Sequence, residues 1–241
     1  MKKIALILLI AFVLSMTACA ISPGSGDGSD SKTYTVKFDS NGGSAVDGIE
    51  VSKLEEAPKT EKAGYIFCGW FTDKDLTLPV SYPFNLTKNT TLYAKWANTT
   101  DSRTCADASV QFAYDDSYNY KAEYVVNPKN LDLEALAALG YYVKISVTYE
   151  VYYEKDFSLP IGYLGAPDHD VQLVDAYDQG VINENLATKT TATTESISLV
   201  ASAESLVSKK FYLRFMTYNL QNIVHVQNIN ITYTCQPTAE N

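Results

Sequence analysis

An unbroken apolar run, Ile4 to Leu14, follows Lys2 and Lys3 at the start of the chain. It covers about half the ~20 residues that a bilayer-spanning helix needs, so the pattern predicts the apolar centre of a secretory signal rather than a membrane span. Ser15-Met16-Thr17-Ala18-Cys19 closes the run with small residues before a cysteine. Small side chains admit a peptidase and the thiol can take a lipid, so residues 1–18 are predicted to be a signal peptide and Cys19 the lipidated first residue of the mature chain. The alternative is cleavage after Ala18 that leaves Cys19 as a free thiol. Residues 19–32 are rich in Gly, Ser and Asp with little to bury, and are predicted to be a flexible tether.

From Tyr34 the pattern becomes strict alternation. Tyr34, Val36 and Phe38 fall on one side and Thr35, Lys37 and Asp39 on the other, followed by Ser40-Asn41-Gly42-Gly43. Period two running into Asn-Gly predicts a strand that enters a hairpin turn. Two further blocks follow, Gly64 to Asp73 and Thr91 to Trp96. Phe38, Tyr65, Trp70 and Trp96 each bring about 150–250 Å² of surface to bury, enough to organise a small core. Ala97 to Arg103 is polar and aperiodic, and residues 97–103 are predicted to be a linker.

A second domain is predicted over residues 104–237. Ala108, Val110, Phe112 and Tyr114 alternate, Asp115-Asp116-Ser117 turns the chain, and Tyr118 to Val126 alternates again. Asn130 to Gly140 carries the one helix signal, with Leu133, Leu136 and Leu139 on a stripe and Gly140 as the stop. Strands are predicted over 143–153, 171–177, 196–201, 211–218 and 223–234. In the last of these, Val224 and Val226 are apolar at even positions but Ile229, Ile231 and Tyr233 at odd ones, which requires a bulge near Gln227 and Asn228 or a crossing between sheets. The fold class is therefore mainly β: a small β module, then an antiparallel β-sandwich of jelly-roll type with six or seven strands and one short helix.

Three segments carry resemblances. Val36-x-Phe38-Asp39-Ser40-Asn41-Gly42-Gly43, Gly64-Tyr65-x-Phe67-x-Gly69-Trp70-Phe71-Thr72-Asp73 and Thr91-Leu92-Tyr93-Ala94-Lys95-Trp96 together resemble the Listeria–Bacteroides repeat, or internalin B-type repeat, over residues 33–96. The resemblance implies a β-grasp-like module of bacterial surface proteins that serves as a spacer or protein contact, with no catalytic residues to carry over. Thr60 stands where a proline is common, the stretch from Phe84 to Leu92 is short, and there is one copy. The segment before Cys19 resembles the lipobox of bacterial lipoproteins, with Met16 in place of the usual Leu. Phe211 to Phe215 and Asn228 to Tyr233 are similar, in fold only, to closing strands of bacterial carbohydrate-binding-like jelly rolls.

Composition narrows the chemistry. The net charge of −9, or −11 once Lys2 and Lys3 are removed, argues against nucleic acid, whose phosphates need basic patches. Eighteen tyrosines against two histidines favours binding over catalysis. No cofactor is expected. Asp168-His169-Asp170 is a calcium candidate through Asp168 and Asp170, although a solvated Asp turn is the favoured reading. Only His169 and His225 could serve a nucleophile, and no Gly-x-Ser-x-Gly elbow accompanies them. Cys105 and Cys235 bracket the second domain, whose terminal strands should lie side by side, so they are predicted to form a disulfide with Cys68 free. A candidate ligand face is Tyr212, Arg214 and Tyr218, with Tyr152 from a neighbouring strand, because Tyr rings and an Arg fork suit sugars or peptides; the favoured alternative is an ordinary tyrosine-rich strand face half-covered by a loop or by the helix around Leu136. The expectation is a non-catalytic binding or adhesion lipoprotein, anchored to the membrane and exposed at the cell surface, whose ligand is a glycan or a protein. The alternatives are a structural component of the envelope and, behind it, an enzyme acting on glycans.

Overall fold

In a computed structural model, residues 32–105, 120–153, 169–175, 177, 180–185, 192–217 and 224–240 are described. The alternating segment forms β1 (Tyr34–Asp39), which turns through Asn41 and Gly42, both at positive φ as an Asn-Gly hairpin turn requires, and pairs antiparallel with β2 (Ile49–Val51). β3 (Lys53–Leu54) and β5 (Phe84–Asn85) make a separate two-stranded ribbon. β4 (Tyr65–Phe71) and β6 (Thr90–Asn98) complete a mixed sheet in the order β2-β1-β6-β4, in which β1 runs parallel to β6. First and last strands side by side and parallel is the β-grasp-like arrangement that the resemblance to the repeat implies.

Trp70 organises this first module. Its ring is 1% exposed among Val36, Leu54, Leu86, Leu92 and Ala94, and Phe38 and Phe67 pack on it at 5.0 and 5.5 Å between centroids. Its indole N–H donates to the Pro58 carbonyl at 2.9 Å, so the polar edge of the buried ring is satisfied. The ring reaches the core because β4 bulges between Phe67 and Trp70, where Gly69 takes φ +106, a conformation that L side chains rarely adopt. Phe38 and Trp96 are half-buried and Tyr65 is 40% exposed, so the core is smaller than four aromatic anchors would make it.

A single residue, Thr99, separates the end of β6 from β7 (Thr100–Cys105), and the span expected to be a linker, 97–103, is therefore mostly strand. β8 (Tyr120–Val125), α1 (Leu133–Ala138), β9 (Tyr142–Tyr153), β10 (His169–Asp175), β11 (Gly180–Asn185), β12 (Thr193–Ser202), α2 (Ala203–Ser208), β13 (Phe211–Thr217) and β14 (Val224–Gln236) follow. The described strands form two antiparallel sheets, β7-β14-β9-β12 and β8-β13-β10-β11. Counted within this second module the orders are 1-8-3-6 and 2-7-4-5, the winding of a jelly roll. The fold class read from the alternation is thus observed, with a second short helix beside the expected one.

The core lies between the sheets. Val143, Ile145, Val147 and Tyr149 of β9 and Val226, Ile229, Ile231 and Tyr233 of β14 are at most 1% exposed, and Leu173, Phe211 and Leu213 join them from the other sheet. Fully burying a side chain of this size contributes on the order of 1.5–3 kcal/mol. The phase change in β14 is accommodated as predicted: its pairing with β9 shifts between Gln227 and Asn230, with Asn228 at φ +54. In α1, Asp132 caps the N-terminus by accepting from Ala135 N at 3.0 Å and Gly140 at φ +73 ends it, but Leu139 is 44% exposed, so only part of the expected stripe is buried. The Asn127 side chain donates to Leu206 O and Lys209 O, both at 2.9 Å, and accepts from Phe211 N at 2.7 Å, which ties the end of α2 to β13.

The two modules share packing. Ala97 belongs to the jelly-roll core, and Ile66 and Cys68 pack against it. Thr99 donates from N and Oγ1 to Gly64 O at 3.1 and 3.0 Å and accepts from Cys235 N at 2.7 Å, so the one residue between β6 and β7 is held from both sides. Lys95 pairs with Asp132 at 2.9 Å and Asn98 donates to Asn130 O at 3.1 Å. Partial burial works to raise the Asp132 carboxyl, but hydrogen bonds from Lys95 and Ala135 N overcome it and hold the pKa below the usual range.

The expected disulfide is corrected by this topology. β7 and β14 do lie side by side, but their antiparallel register sets Cys105 opposite Ile229, and Cys235 lies six residues further along β14. At ~3.3 Å per residue that is roughly 20 Å, where a disulfide needs Cα atoms within about 7 Å. Cys68, Cys105 and Cys235 are all free thiols, and burial pushes Cys235 up to about 11.

Candidate functional site

The predicted ligand face divides between two sheets. Tyr212 and Arg214 stand on β13 on the side opposite the buried Phe211 and Leu213, as the alternation required. Tyr152 does not join them: β13 is flanked by β10 and β8, whereas Tyr152 sits on β9 in the other sheet. Arg214 is engaged inside its own sheet, donating from Nε to Glu123 at 2.7 Å and from Nη1 to Gln172 at 3.0 Å. Its neighbours Gln172 and Val174 on β10 are 8% and 0% exposed, so this face is covered along β10. Arg214 here holds three strands together. Tyr218, Asp168 and Cys19 lie outside the described residues, as do the first arm and turn of the hairpin expected over 108–126, whose second arm is β8. Asp170 is on β10 opposite Glu184 and Met216. Among the described residues no group of three His, Cys, Asp or Glu side chains is placed to hold a metal.

Tyr152 instead stacks on His225 across β9 and β14, with centroids 4.8 Å apart and planes 13° from parallel. One step along the same face, Glu150 accepts from Gln227 and Asn228, both at 2.9 Å, and these bonds hold its carboxyl below the usual range. The acid secures the bulge.

Among the described residues, a concave feature with several aromatic side chains lies where the modules meet. A cleft of about 530 Å³ is lined by Thr60, Lys62, Tyr65, Phe67 and Trp96 of the first module and Tyr141 of the second. Ligand sites commonly fall at such junctions, with volumes of roughly 300–1,000 Å³ and mostly aromatic walls. β4 places Tyr65 and Phe67 on one face, and register sets Phe67 opposite Trp96 of β6, with their rings 5.4 Å apart. Trp96 is fixed by its indole N–H, which donates to Ser40 O at 2.8 Å. It packs there because Gly43 has no side chain: a Cβ on Gly43 would stand 2.4 Å from the ring carbon Cζ2. Tyr141 enters from the segment between α1 and β9, its N–H bonded to Leu136 O at 3.0 Å and its carbonyl accepting from Ala203 N at 2.9 Å.

These blocks, with their bulge glycine and parallel closing strand, have a counterpart among known sequences. Residues 34–95 match the Listeria–Bacteroides repeat domain. A stretch of 67 residues is 43% identical to part of an Evansella cellulosilytica protein provisionally named a membrane protein, covering 26% of this chain and 10% of that one. A second Evansella protein, provisionally named a Gly-rich membrane protein, is 42% identical over 67 residues, 26% of this chain and 8% of its own length. The chain spans a tenth or less of the length of these relatives. The repeat supplies five of the six cleft residues named above, and the jelly roll supplies the sixth. Tyr65 and Trp96 were visible in the sequence as large aromatics, but the pattern assigned them to the core; in the structure Tyr65 is 40% exposed and Trp96 half-buried on the cleft wall.

Proposed function

We propose that this chain is a membrane-associated bacterial surface protein that binds a ligand without transforming it, held by a lipid on Cys19 and presenting its jelly roll on a fused Listeria–Bacteroides repeat. The observation that carries the binding reading is the aromatic cleft built jointly by the two modules. A spacer would need no such shared wall, and the packing that forms it fixes the orientation of the rings before any ligand arrives. The similarity of the repeat to segments of two proteins with membrane names, and the signal-like N-terminus, support the location.

Two measurements test the proposal. Protease treatment of intact cells should degrade the protein while it remains in the membrane fraction, and intact mass of the extracted chain should show diacylglyceryl on Cys19; release into the medium would refute the anchor. On a glycan and matrix-protein array, the full-length chain in detergent should retain a ligand that the Tyr65→Ser, Tyr141→Ser double variant loses. Unchanged retention by that variant, with an unchanged melting temperature, would remove the cleft from the function.

A further inference from the structure

Resting on the binding reading, the cleft also carries information about ligand chemistry. Lys62 Nζ stands 4.2 Å from the centroid of the Tyr65 ring and 6.0 Å from that of Trp96, and its oxygen partner is the Asn41 carbonyl at 3.2 Å. Among the described residues it has no carboxylate within ion-pair distance. Glu61, its neighbour in the chain, is committed through its backbone to Ser44, which donates to Glu61 O at 2.8 Å and whose hydroxyl accepts from Glu61 N at 3.0 Å. A cation held by ring faces and a single carbonyl at the mouth of a cleft retains donors for an incoming anion, and a carboxylate there would form a charge-assisted hydrogen bond.

Between Glu61 and Gly64 several backbone groups of this wall are already paired. Besides the Glu61 pairings, Lys62 O accepts from Tyr65 N at 3.1 Å and Gly64 O accepts from both Thr99 donors. Over that stretch an extended peptide would find few main-chain groups to pair with, and recognition of that kind runs through main-chain hydrogen bonds. What remains is flat ring surface from Tyr65, Trp96 and Tyr141, phenolic hydroxyls and the Lys62 ammonium, with the exposed Glu61 side chain also on the lining. We propose that the cleft binds a carboxylate-bearing saccharide, its sugar ring against these aromatic faces and its carboxylate on Lys62.

The chain has two tryptophans, of which Trp70 is buried in the core and Trp96 lines the cleft, so intrinsic fluorescence reports occupancy. The full-length protein would be titrated with a uronic-acid trisaccharide, its carboxyl-reduced neutral counterpart and an acidic hexapeptide. The acidic sugar is expected to change Trp96 emission and to bind about tenfold or more tighter than the neutral one. Lys62→Gln should reduce acidic-sugar affinity to the neutral level and leave the neutral sugar unaffected, whereas Lys62→Arg should keep most of it. Equal affinity for both sugars, indifference to Lys62→Gln, or preference for the peptide would each overturn the assignment. If no saccharide binds, but an array ligand is lost in the Tyr65→Ser, Tyr141→Ser variant, the binding reading stands and the saccharide falls. If those variants change no interaction at all, both fall.

Discussion

Leu136 offers a way to ask whether the two modules unfold as one. It is fully buried in α1, in a cluster that also contains Val143, Leu206 and Ala97, the last contributed by the repeat's closing strand. Leu136→Ala removes the transfer free energy of the lost carbons and leaves a cavity, which together cost about 2–5 kcal/mol at such sites. For a cooperative unit of about 200 residues each kcal/mol lowers the melting temperature by roughly 2–4 °C, so a cost near 3 kcal/mol should appear as about 6–12 °C. The assay gains its force from where the tryptophans are: Trp70 and Trp96 both lie in the repeat, while the substitution lies in the jelly roll. If the shared core couples them, the fluorescence midpoint falls together with the far-UV circular dichroism midpoint. The reasoning is refuted if the dichroism transition moves or splits while the tryptophan transition stays where it was. Leu86→Ala, within the repeat's own cluster, gives the reciprocal experiment.

Three further outcomes are expected. In denaturant, without reductant, the mature chain should show three reactive thiols, Cys68, Cys105 and Cys235; one would indicate the disulfide that the register forbids, and four would indicate that Cys19 carries no lipid. Asn228 holds φ +54 at the β14 bulge, so Asn228→Val should cost about 1–2 kcal/mol in chemical denaturation, with Asn228→Gly clearly milder. Burial raises the half-exposed Glu195 carboxyl despite its 3.0 Å bond from the Tyr149 hydroxyl, so its contribution is fully present below its unfolded pKa and is lost as pH rises through the folded one. Glu195→Gln should therefore flatten part of the decline in stability as pH rises above the ordinary glutamate range, and an unchanged slope would count against the assignment.

The sandwich was legible because the described side chains of β9 and β13 alternate in burial, and even the bulge of β14 could be placed from the switch of phase at Gln227 and Asn228. β7 was not legible: Thr100 to Cys105 has no apolar alternation, and what makes it a strand is backbone pairing with β14 at the sheet edge. α2 escaped notice since it is two turns long at most and buries only Ala203 and Leu206, although Ser202 capping Ser205 N was a local signal. Proximity of the terminal strands could be inferred, but not which ends would meet, and that alone separates Cys105 from Cys235. Strand order is likewise non-local, so nothing near Tyr152 told which sheet it would join. The cleft was the least accessible of all, because Tyr141 meets Trp96 through the docking of two modules that each follow their own pattern.

The parallel pairing of β1 with β6 has a mechanical consequence. A load applied between the N-terminal end of the repeat and the jelly roll enters the repeat at Tyr34 and leaves it at Asn98. Because the strands run in the same direction, the two ends are drawn apart along the strand axis, and the pairs from Val36–Thr90 to Asp39–Tyr93 are strained together. An antiparallel pair pulled from neighbouring ends would instead peel open one bond at a time. Sliding β1 past β6 would also drag Val36 and Leu92, both fully buried, across the Trp70 core. Under tension, where lifetime is set by the unfolding rate, the repeat is connected so that pulling meets its strongest direction.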